Sequence, residues 1–556
     1  MSTLILAGTI FAGDPPRPGP TAIVVEDGRI EWLGAPALVP HRYRSEPVDL
    51  THAVLIPGLI DSHQHMLQAA ATLGWADCSR ARSPEEAVAR LREHSRTVRE
   101  TWIVGWGYDA GRANGGRRPT RALLDSVSEE RPILLVESSF HQGIANSAAL
   151  AAVGFGRSTP RRWGGELERD RRGEPTGVVW ERAFSVLERA ALRAEEEAAD
   201  GLRGRADEVC RHHLMQGVTH VGEAVTPPRN LEWLLSADLP IGFTHFPTSE
   251  HGTFATPRDA LEGPRTGEGS TMAGVGPLKL FADGAERCAV RIPLSRLPRQ
   301  TWTAVRRMLT KRDPGGLRIL SSTGTRLKGN AVFSGTLHYP PGGLTDIMSA
   351  GLERGFRIAV HALGNEGFRV AVESYEEARA RTGVDVAGCR VEHAMFAEQS
   401  DLERAARLGL ILSMQPGHAV HYSALRVTAA DVVFDPVPLR TAIDAGCAVA
   451  ISSDAPTAPA TALENMRAAV NRMAADGTPV RPDLAITPEE ALRAATIAGA
   501  EACGVADVKG SLDVGKQADF AVLSGDPFDE RTTVLETWVV GERRWPDGRA
   551  SPAVTE

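Results

Sequence analysis

Residues 54–65 read VLIPGLIDSHQH. An apolar run of Val, Leu and Ile leads almost directly into His63-Gln64-His65. In extended chain, residues i and i+2 point to the same side. Two imidazoles so placed can reach one divalent cation at about 2.0–2.1 Å. Taken alone the pair is ambiguous, because two surface histidines look the same. The pattern recurs, however. Apolar runs stand at 218–224 (VTHVGEA), 239–246 (LPIGFTHF), 277–283 (PLKLFAD), 357–363 (RIAVHAL), 390–394 (RVEHA), 410–416 (LILSMQP) and 448–456 (AVAISSDAP). With 54–61 they make eight buried-strand candidates. Amphipathic stretches such as DLERAARLG and PLRTAIDAG lie between several of them. Strand–helix alternation predicts parallel pairing with right-handed crossovers. Eight such units predict an α/β fold, a closed (β/α)8 TIM barrel. His361, His393 and Asp454 each end a separate candidate strand, on the face where barrel enzymes keep their chemistry. Polar groups at the ends of buried strands need partners, and a shared metal supplies one.

The intervals outward from these strands set the domain plan. Residues 67–217 are too long for one crossover helix and predict an inserted α/β subdomain; 284–355 predict a smaller excursion. Both leave from the C-terminal ends of strands, so both can cover the barrel mouth. The chain ends are alike in kind: LILAGTIFAG and AIVVEDGRIEWLG at the start, ADFAVLSGD and ETWVVGERRWPDG at the finish. Asp27-Gly28 between alternating apolar residues is a strong hairpin signal. Neither end can bury a sheet face alone, so residues 1–56 and 503–556 are expected to form one small composite β-sandwich around a barrel at 57–502.

Composition narrows the function classes. Of 556 residues, 42% are hydrophobic and 24% charged, as in an ordinary globular protein. A net charge of −8 argues against nucleic acid or anionic membrane as partners. No apolar run approaches a membrane span, and the first residues lack the basic n-region of a signal peptide. The cysteines 78, 210, 288, 389, 447 and 503 are scattered without a C-x-x-C pair, which argues against a disulfide framework or a thiolate zinc site. A cytoplasmic location is the expectation. Arginine so dominates that only five lysines remain, and Lys279 lies inside an apolar strand. A buried lysine is costly unless paired or neutralised. It reads either as a salt bridge to Asp283 or another carboxylate, or as an N-carboxylated lysine bridging two metals.

GLIDSHQH, KLFADG, VHALGN, RVEHA, SMQPGH, SSDAP and the terminal GSLDVGKQADFAVL together resemble the amidohydrolase superfamily, in its third-family branch that includes N-substituted formamide deformylase-like enzymes. The motifs run from Gly58 to Leu523. The resemblance implies a metal-dependent hydrolase of non-peptide carbon–nitrogen bonds, acting on an N-acyl or N-formyl amine. It implies His63 and His65 on a first divalent metal, His361 and His393 on a second, and carboxylated Lys279 as bridge. Asp454 would bind the first metal and accept a proton from the attacking water. Zinc is the expected metal, with iron or manganese suited to the same donors. Asn365 and Glu223 depart from the branch pattern, which has aspartate more often at each, and are expected to alter the surroundings of the ligands.

Further residues carry paired readings. His418 is either an oxyanion donor or a solvent-side loop histidine. In ILLVESSFHQGIANSAAL (133–150), His141 and Asn146 match a family stretch. They are candidate substrate contacts from the lid; Asn146 reads equally as a helix cap. Glu181 is a pocket carboxylate or a structural ion-pair member. His212, His213 and His245 read as helix and strand residues, and Trp102 and Trp106 as subdomain core. The partner is a small molecule, and barrels of this kind are often homodimers. Two other functions stay open: a mononuclear deaminase or cyclic-amide hydrolase, and an inactive metal-binding scaffold.

Overall fold

At Gly58 the chain changes sheets. The strand Val48–Pro57 pairs parallel with Ser2–Ala12 and antiparallel with Phe520–Leu523. The Gly58 amide donates to the Asp519 carbonyl at 2.9 Å. The next strand, Leu59–Gln64, pairs parallel with Val218–Thr226. The stretch 54–61, expected as one strand, is therefore the junction of two. Glycine is required there, since a Cβ would collide with Thr219. The computed structural model describes residues 2–298, 302, 326–421 and 434–548, apart from 20, 45, 99–100, 112, 114–115, 161–164, 198–200, 286, 459 and 475–476.

The molecule is a mixed α/β structure. One parallel sheet runs Ala273–Val275, Gly242–Pro247, Val218–Thr226, Leu59–Gln64. A second runs Leu278–Phe281, Ile358–Ala362, Arg390–His393, Ile411–Met414, Ala448–Ile451. The sheets touch in two places: Gly242–Pro247, second from the edge of its sheet, lies against Leu278–Phe281, and Ala448–Ile451 against Leu59–Gln64. At the latter contact the Asp454 amide donates to the His63 carbonyl at 2.9 Å, and the His65 amide to the Ala455 carbonyl at 2.8 Å. These strands are buried along their length, as parallel strands covered on both faces must be. Local chemistry starts the outer helices: Thr461 with Glu464, and Thr487 with Glu490, form capping boxes.

Strands from the two chain ends join in one eight-stranded sheet, with Val48–Pro57 between the N-terminal and C-terminal contributions. Ile5, Ile23, Val25, Leu55, Phe520, Val522 and Trp538 share a buried cluster on it. The insertion carries a six-stranded mixed sheet, with Ile103–Tyr108, Ile133–Glu137, Gln142–Ala145 and Pro175–Trp180 at its centre. The excursion holds a three-stranded antiparallel sheet and the helix Gly343–Glu353; its segment 303–325 lies outside the described residues. Trp102 is buried and Trp106 half-buried in the subdomain, and His213 is buried on the helix Leu202–Leu214. No helix among the described residues is long and apolar enough to cross a membrane.

Gly222 lets the Val218–Thr226 strand lie flat on its neighbour, because a Cβ would meet the Ser62 carbonyl. Gly222→Ala should cost about 1–3 kcal/mol of stability, read as a lower urea midpoint. Its damage should extend to metal affinity, because Ser62 precedes His63.

Candidate metal centre

Five sequence-distant side chains converge at the C-terminal ends of the parallel strands. His63 and His65 both turn a ring Nε2 toward Asp454 Oδ1, at 3.4 and 3.0 Å. One ligand atom from each of the three lies within 4.8 Å of the others. The His393 ring stands 4.9 Å from that of His63 and 4.4 Å from that of His361, centre to centre. The buried His63 Nε2, His65 Nδ1, His361 Nε2 and Lys279 Nζ have no hydrogen-bond partner. Orphaned buried donors and acceptors on this scale are rare and costly. A divalent cation would satisfy the ring nitrogens that face Asp454 and one another, and imidazole with carboxylate is the donor chemistry such a cation takes. The residues present fit the group.

Burial holds His63, His361 and His393 neutral, which a metal ligand must be. His63 falls to about 4, by burial and the Lys279 ammonium. His361 and His393 lie well below the ordinary value, from burial first and neighbouring histidines or Lys279 after it. Asp454 stays ionised: His65, His393 and His63 outweigh its burial and hold it well below the usual carboxylate range. The backbone is strained where it presents these groups, with φ of +74° at His393, +46° at Ala394 and +59° at Asp454. Non-glycine residues keep such angles only where their surroundings enforce them.

The enforcement comes from partners that the strand-end pattern did not reveal. His63 Nδ1 donates to Glu392 Oε2 at 2.5 Å. Glu392 is gripped by Arg390 through Nε and Nη2, at 2.8 and 2.9 Å. Arg390 also donates to the carbonyls of Ala502 and Ser62, at 2.8 and 2.9 Å. Arg390 and His63 hold the Glu392 carboxyl below its ordinary range although it is fully buried. His393 Nδ1 donates to Gln415 Oε1 at 2.9 Å, and Gln415 Nε2 donates to Ser452 at 2.8 Å. Asp61 accepts from the amide and hydroxyl of Ser453, at 2.9 and 2.5 Å, and so fixes the residue before Asp454. A signal for Glu392 was present in RVEHA, where a carboxylate and a guanidinium alternate along a strand with no solvent face.

Lys279 is 1% exposed, and burial lowers its amine to about 8. The expected salt bridge to Asp283 does not form. The Asp283 carboxylate is taken by the amides of Ala289, Leu363 and Gly364, at 2.8 to 3.0 Å. Lys279 Nζ instead lies 5.0 Å from the Phe281 ring centre. His418 is buried on the short helix Pro416–His421, with Nε2 3.7 Å from Asp454 Oδ2, so the solvent-side reading is set aside. His141 reaches in from the insertion. Its ring stands 5.3 Å from that of His361, and Nδ1 2.8 Å from Glu181 Oε2. His338, from the excursion, stacks on Phe254 and faces Glu181 at 3.8 Å; no sequence signal marked it. Glu181 is thus a buried carboxylate beside two imidazoles.

Asn146 is a correction. Its Oδ1 caps the helix Ser147–Ala152 through the Ala149 amide and also accepts from the Ile133 amide, while Nδ2 donates to the Ser128 and Arg131 carbonyls. Both ends of the amide are spent on backbone, which leaves nothing for a substrate. Asn365 likewise ties to the Arg291 backbone, away from the ligands. Glu223 does border the centre: it accepts from the Met66 amide, one residue past His65, and burial lifts it to about 8. His245 is buried against Phe243, with neither ring nitrogen partnered.

Glu392→Gln removes the charge that orients His63. It should weaken the tightest divalent ion about 10–100-fold, measured by Zn2+ titration against a chelator, with the fold unchanged by circular dichroism. Unaltered affinity would separate this clamp from the metal.

Comparisons with known proteins agree with this geometry. Residues 46–544 match the amidohydrolase family. N-substituted formamide deformylase from Arthrobacter pascens is 30% identical, over 94% of each chain. A putative amidohydrolase of Bacillus subtilis is 26% identical over 91% of each. The crystal structure of an uncharacterized metal-dependent hydrolase from Pyrococcus horikoshii superposes with a TM-score of 0.68 at 23% identity, covering 95% of this chain and 98% of that one. A family match over most of the chain and buried histidines around an acidic centre converge: this chain belongs to the amidohydrolase family and is a metal-dependent hydrolase of carbon–nitrogen bonds other than peptide bonds.

Proposed function

We propose that the substrate is an N-formyl or N-acyl amine, cleaved to a carboxylic acid and an amine. The observation that carries the reading is the set of buried, unpartnered imidazole and amine nitrogens around ionised Asp454. The deformylase relative acts on N-substituted formamides by its name, and a formyl group is the smallest acyl such a crowded centre could admit. We read the two parallel sheets as one closed (β/α)8 barrel and the end sheet as a sandwich curled around its buried cluster. Scattered cysteines without a disulfide among the described residues support a reducing cytoplasm.

His63, His65 and Asp454 would hold a first divalent ion, zinc in the first place; His361 and His393 would hold a second, with Lys279 between as a carbamate. When bound, such ions polarise a carbonyl oxygen and make water a competent nucleophile at neutral pH. The chain's own groups do the rest. Asp454 Oδ2 accepts the proton of the attacking water and returns it to the departing nitrogen. His418, 3.7 Å from that oxygen, steadies the negative charge that develops on the acyl oxygen. His141 closes the site from the lid and contacts the substrate beside His361. Lys279, its amine lowered to about 8 by burial, gives up its ammonium proton more readily than an ordinary lysine; the neutral amine then adds to carbon dioxide with loss of a second proton to solvent.

A mononuclear deaminase or cyclic-amide hydrolase is the second reading. One observation favours it: among the described residues only His63, His65 and Asp454 bring three ligand atoms within 4.8 Å.

Elemental analysis decides between the two. The wild type is expected to hold two divalent ions per chain, and Lys279→Ala one with little activity. A single ion in both proteins, with full activity in Lys279→Ala, would select the mononuclear reading. On a panel of N-alkylformamides, Asp454→Asn should lower kcat by roughly 10³-fold at similar KM. Retained turnover would remove Asp454 from proton transfer.

A further inference from the structure

The two carboxylate oxygens of Asp454 have different neighbours. Oδ1 stands 3.4 Å from His63 Nε2 and 3.0 Å from His65 Nε2. Oδ2 accepts from the Thr457 hydroxyl at 2.9 Å and has His418 Nε2 at 3.7 Å. The reaction gives these oxygens different tasks, one toward a metal and one toward a proton. Main-chain contacts settle where the residue stands but not how its carboxylate is turned. The Asp454 amide is tied to the His63 carbonyl, and the Thr457 amide donates to the Asp454 carbonyl, both at 2.9 Å. On either side, Asp61 holds Ser453, and the Ser453 hydroxyl accepts from the Ala455 amide at 3.0 Å. The last torsion of an aspartate is broad and roughly two-fold. A quarter-turn about it would present both oxygens to the imidazoles together.

Thr457 is the side chain placed to prevent that turn. Its Oγ1 lies 2.5 Å from the Asp454 carbonyl and 2.9 Å from Oδ2, so one hydroxyl proton sits between a main-chain and a side-chain oxygen of the same residue. Closing the turn 454–457 does not require the hydroxyl, because the Thr457 amide already reaches the same carbonyl. The further reach to Oδ2 acts on the carboxylate. A hydrogen bond to an ionised acceptor is roughly twice as strong as a neutral one. The β-branch of threonine restricts its first torsion, which keeps the hydroxyl where it is. A carboxylate oxygen carries more than one lone pair, so the bond from Thr457 leaves Oδ2 able to accept a second proton donor.

We propose that Thr457 is a positioning residue whose hydroxyl pins Asp454 Oδ2, so that Oδ1 alone is offered to a metal and Oδ2 is kept for the proton of the attacking water. The inference rests on the reading of Asp454 as both ligand and proton acceptor, and not on the identity of the acyl group. Thr457 itself touches neither the substrate nor the ion; it acts through Asp454. It is half-buried, and valine has its shape without the hydroxyl, so the pin can be removed with little change in packing.

Visible absorption of the full-length protein loaded with Co2+ tests it. Thr457→Val should hold as many Co2+ ions as the wild type, yet show a weaker d–d absorption, as an ion does on gaining a ligand oxygen. On N-alkylformamides its kcat should fall about 10–100-fold at a similar KM. Thr457→Ser, which keeps the hydroxyl, should restore both. Thr457→Ala, a smaller side chain should the valine variant fail to fold, should behave as Thr457→Val. An absorption identical in the wild type and in whichever of these two variants folds overturns the proposal. So does an altered absorption that Thr457→Ser fails to correct. The spectrum needs no substrate. A Co2+-loaded wild type that cleaves no formamide therefore removes the substrate reading alone, whereas a wild type that takes up no Co2+ removes the metal reading and this inference with it.

Discussion

A fully buried carboxylate held between a guanidinium and an imidazole governs this centre. Glu392 has Arg390 on one side and His63 on the other, with no solvent to screen either contact. A buried charge pair is expensive to desolvate and very expensive to break, so the arrangement admits few alternatives. Arg390 extends it to the carbonyls of Ser62 and Ala502. One guanidinium thereby ties the strand that carries His63, the strand that carries His393 and the helix Ile497–Cys503. The strained backbone at His393 and Ala394 follows the same clamp by one and two residues, and tight neighbours are what make such angles bearable.

Around that anchor the polar interior falls into two kinds. Asp283, Asn146, Asp61 and Gln415 have their hydrogen bonds filled by backbone, hydroxyl or imidazole groups, and each holds a loop or a ligand in place. Lys279 Nζ and the Nε2 atoms of His361 and His63 have theirs empty. Folding alone does not select the second kind, because an unsatisfied buried group costs free energy. What selects it is a ligand that folding leaves room for.

The insertion and the excursion build the wall opposite the strands. His141 and His338 come from segments almost 200 residues apart, yet both face Glu181. Phe254 and Phe281 pack between these rings and His361. The strands thus provide the polar donors, and the added segments provide shape. That division suits a family in which the reaction is kept while the pocket varies.

Strand periodicity and strand-end polarity were enough to place His63, His65, His361, His393 and Asp454 at strand ends, because in a parallel sheet those features follow from local chain order. The pairing of the two chain ends was legible for a similar reason: short alternating strands cannot bury a face unaided. The change of sheet at Gly58 was not, since VLIPGLID is uniformly apolar and periodicity carries no mark where a run changes partners. Glu392 and His338 lay beyond the sequence for a deeper reason. Their roles depend on what stands across a gap of a few ångströms from segments far away in the chain. Asn146 shows the converse, its motif matching while its amide is spent on backbone. The chain order alone determined which residues sit at strand ends; only packing in three dimensions decided which of their atoms find partners and which are left for a ligand, because hydrogen bonds and desolvation act over contact distance and not along the sequence.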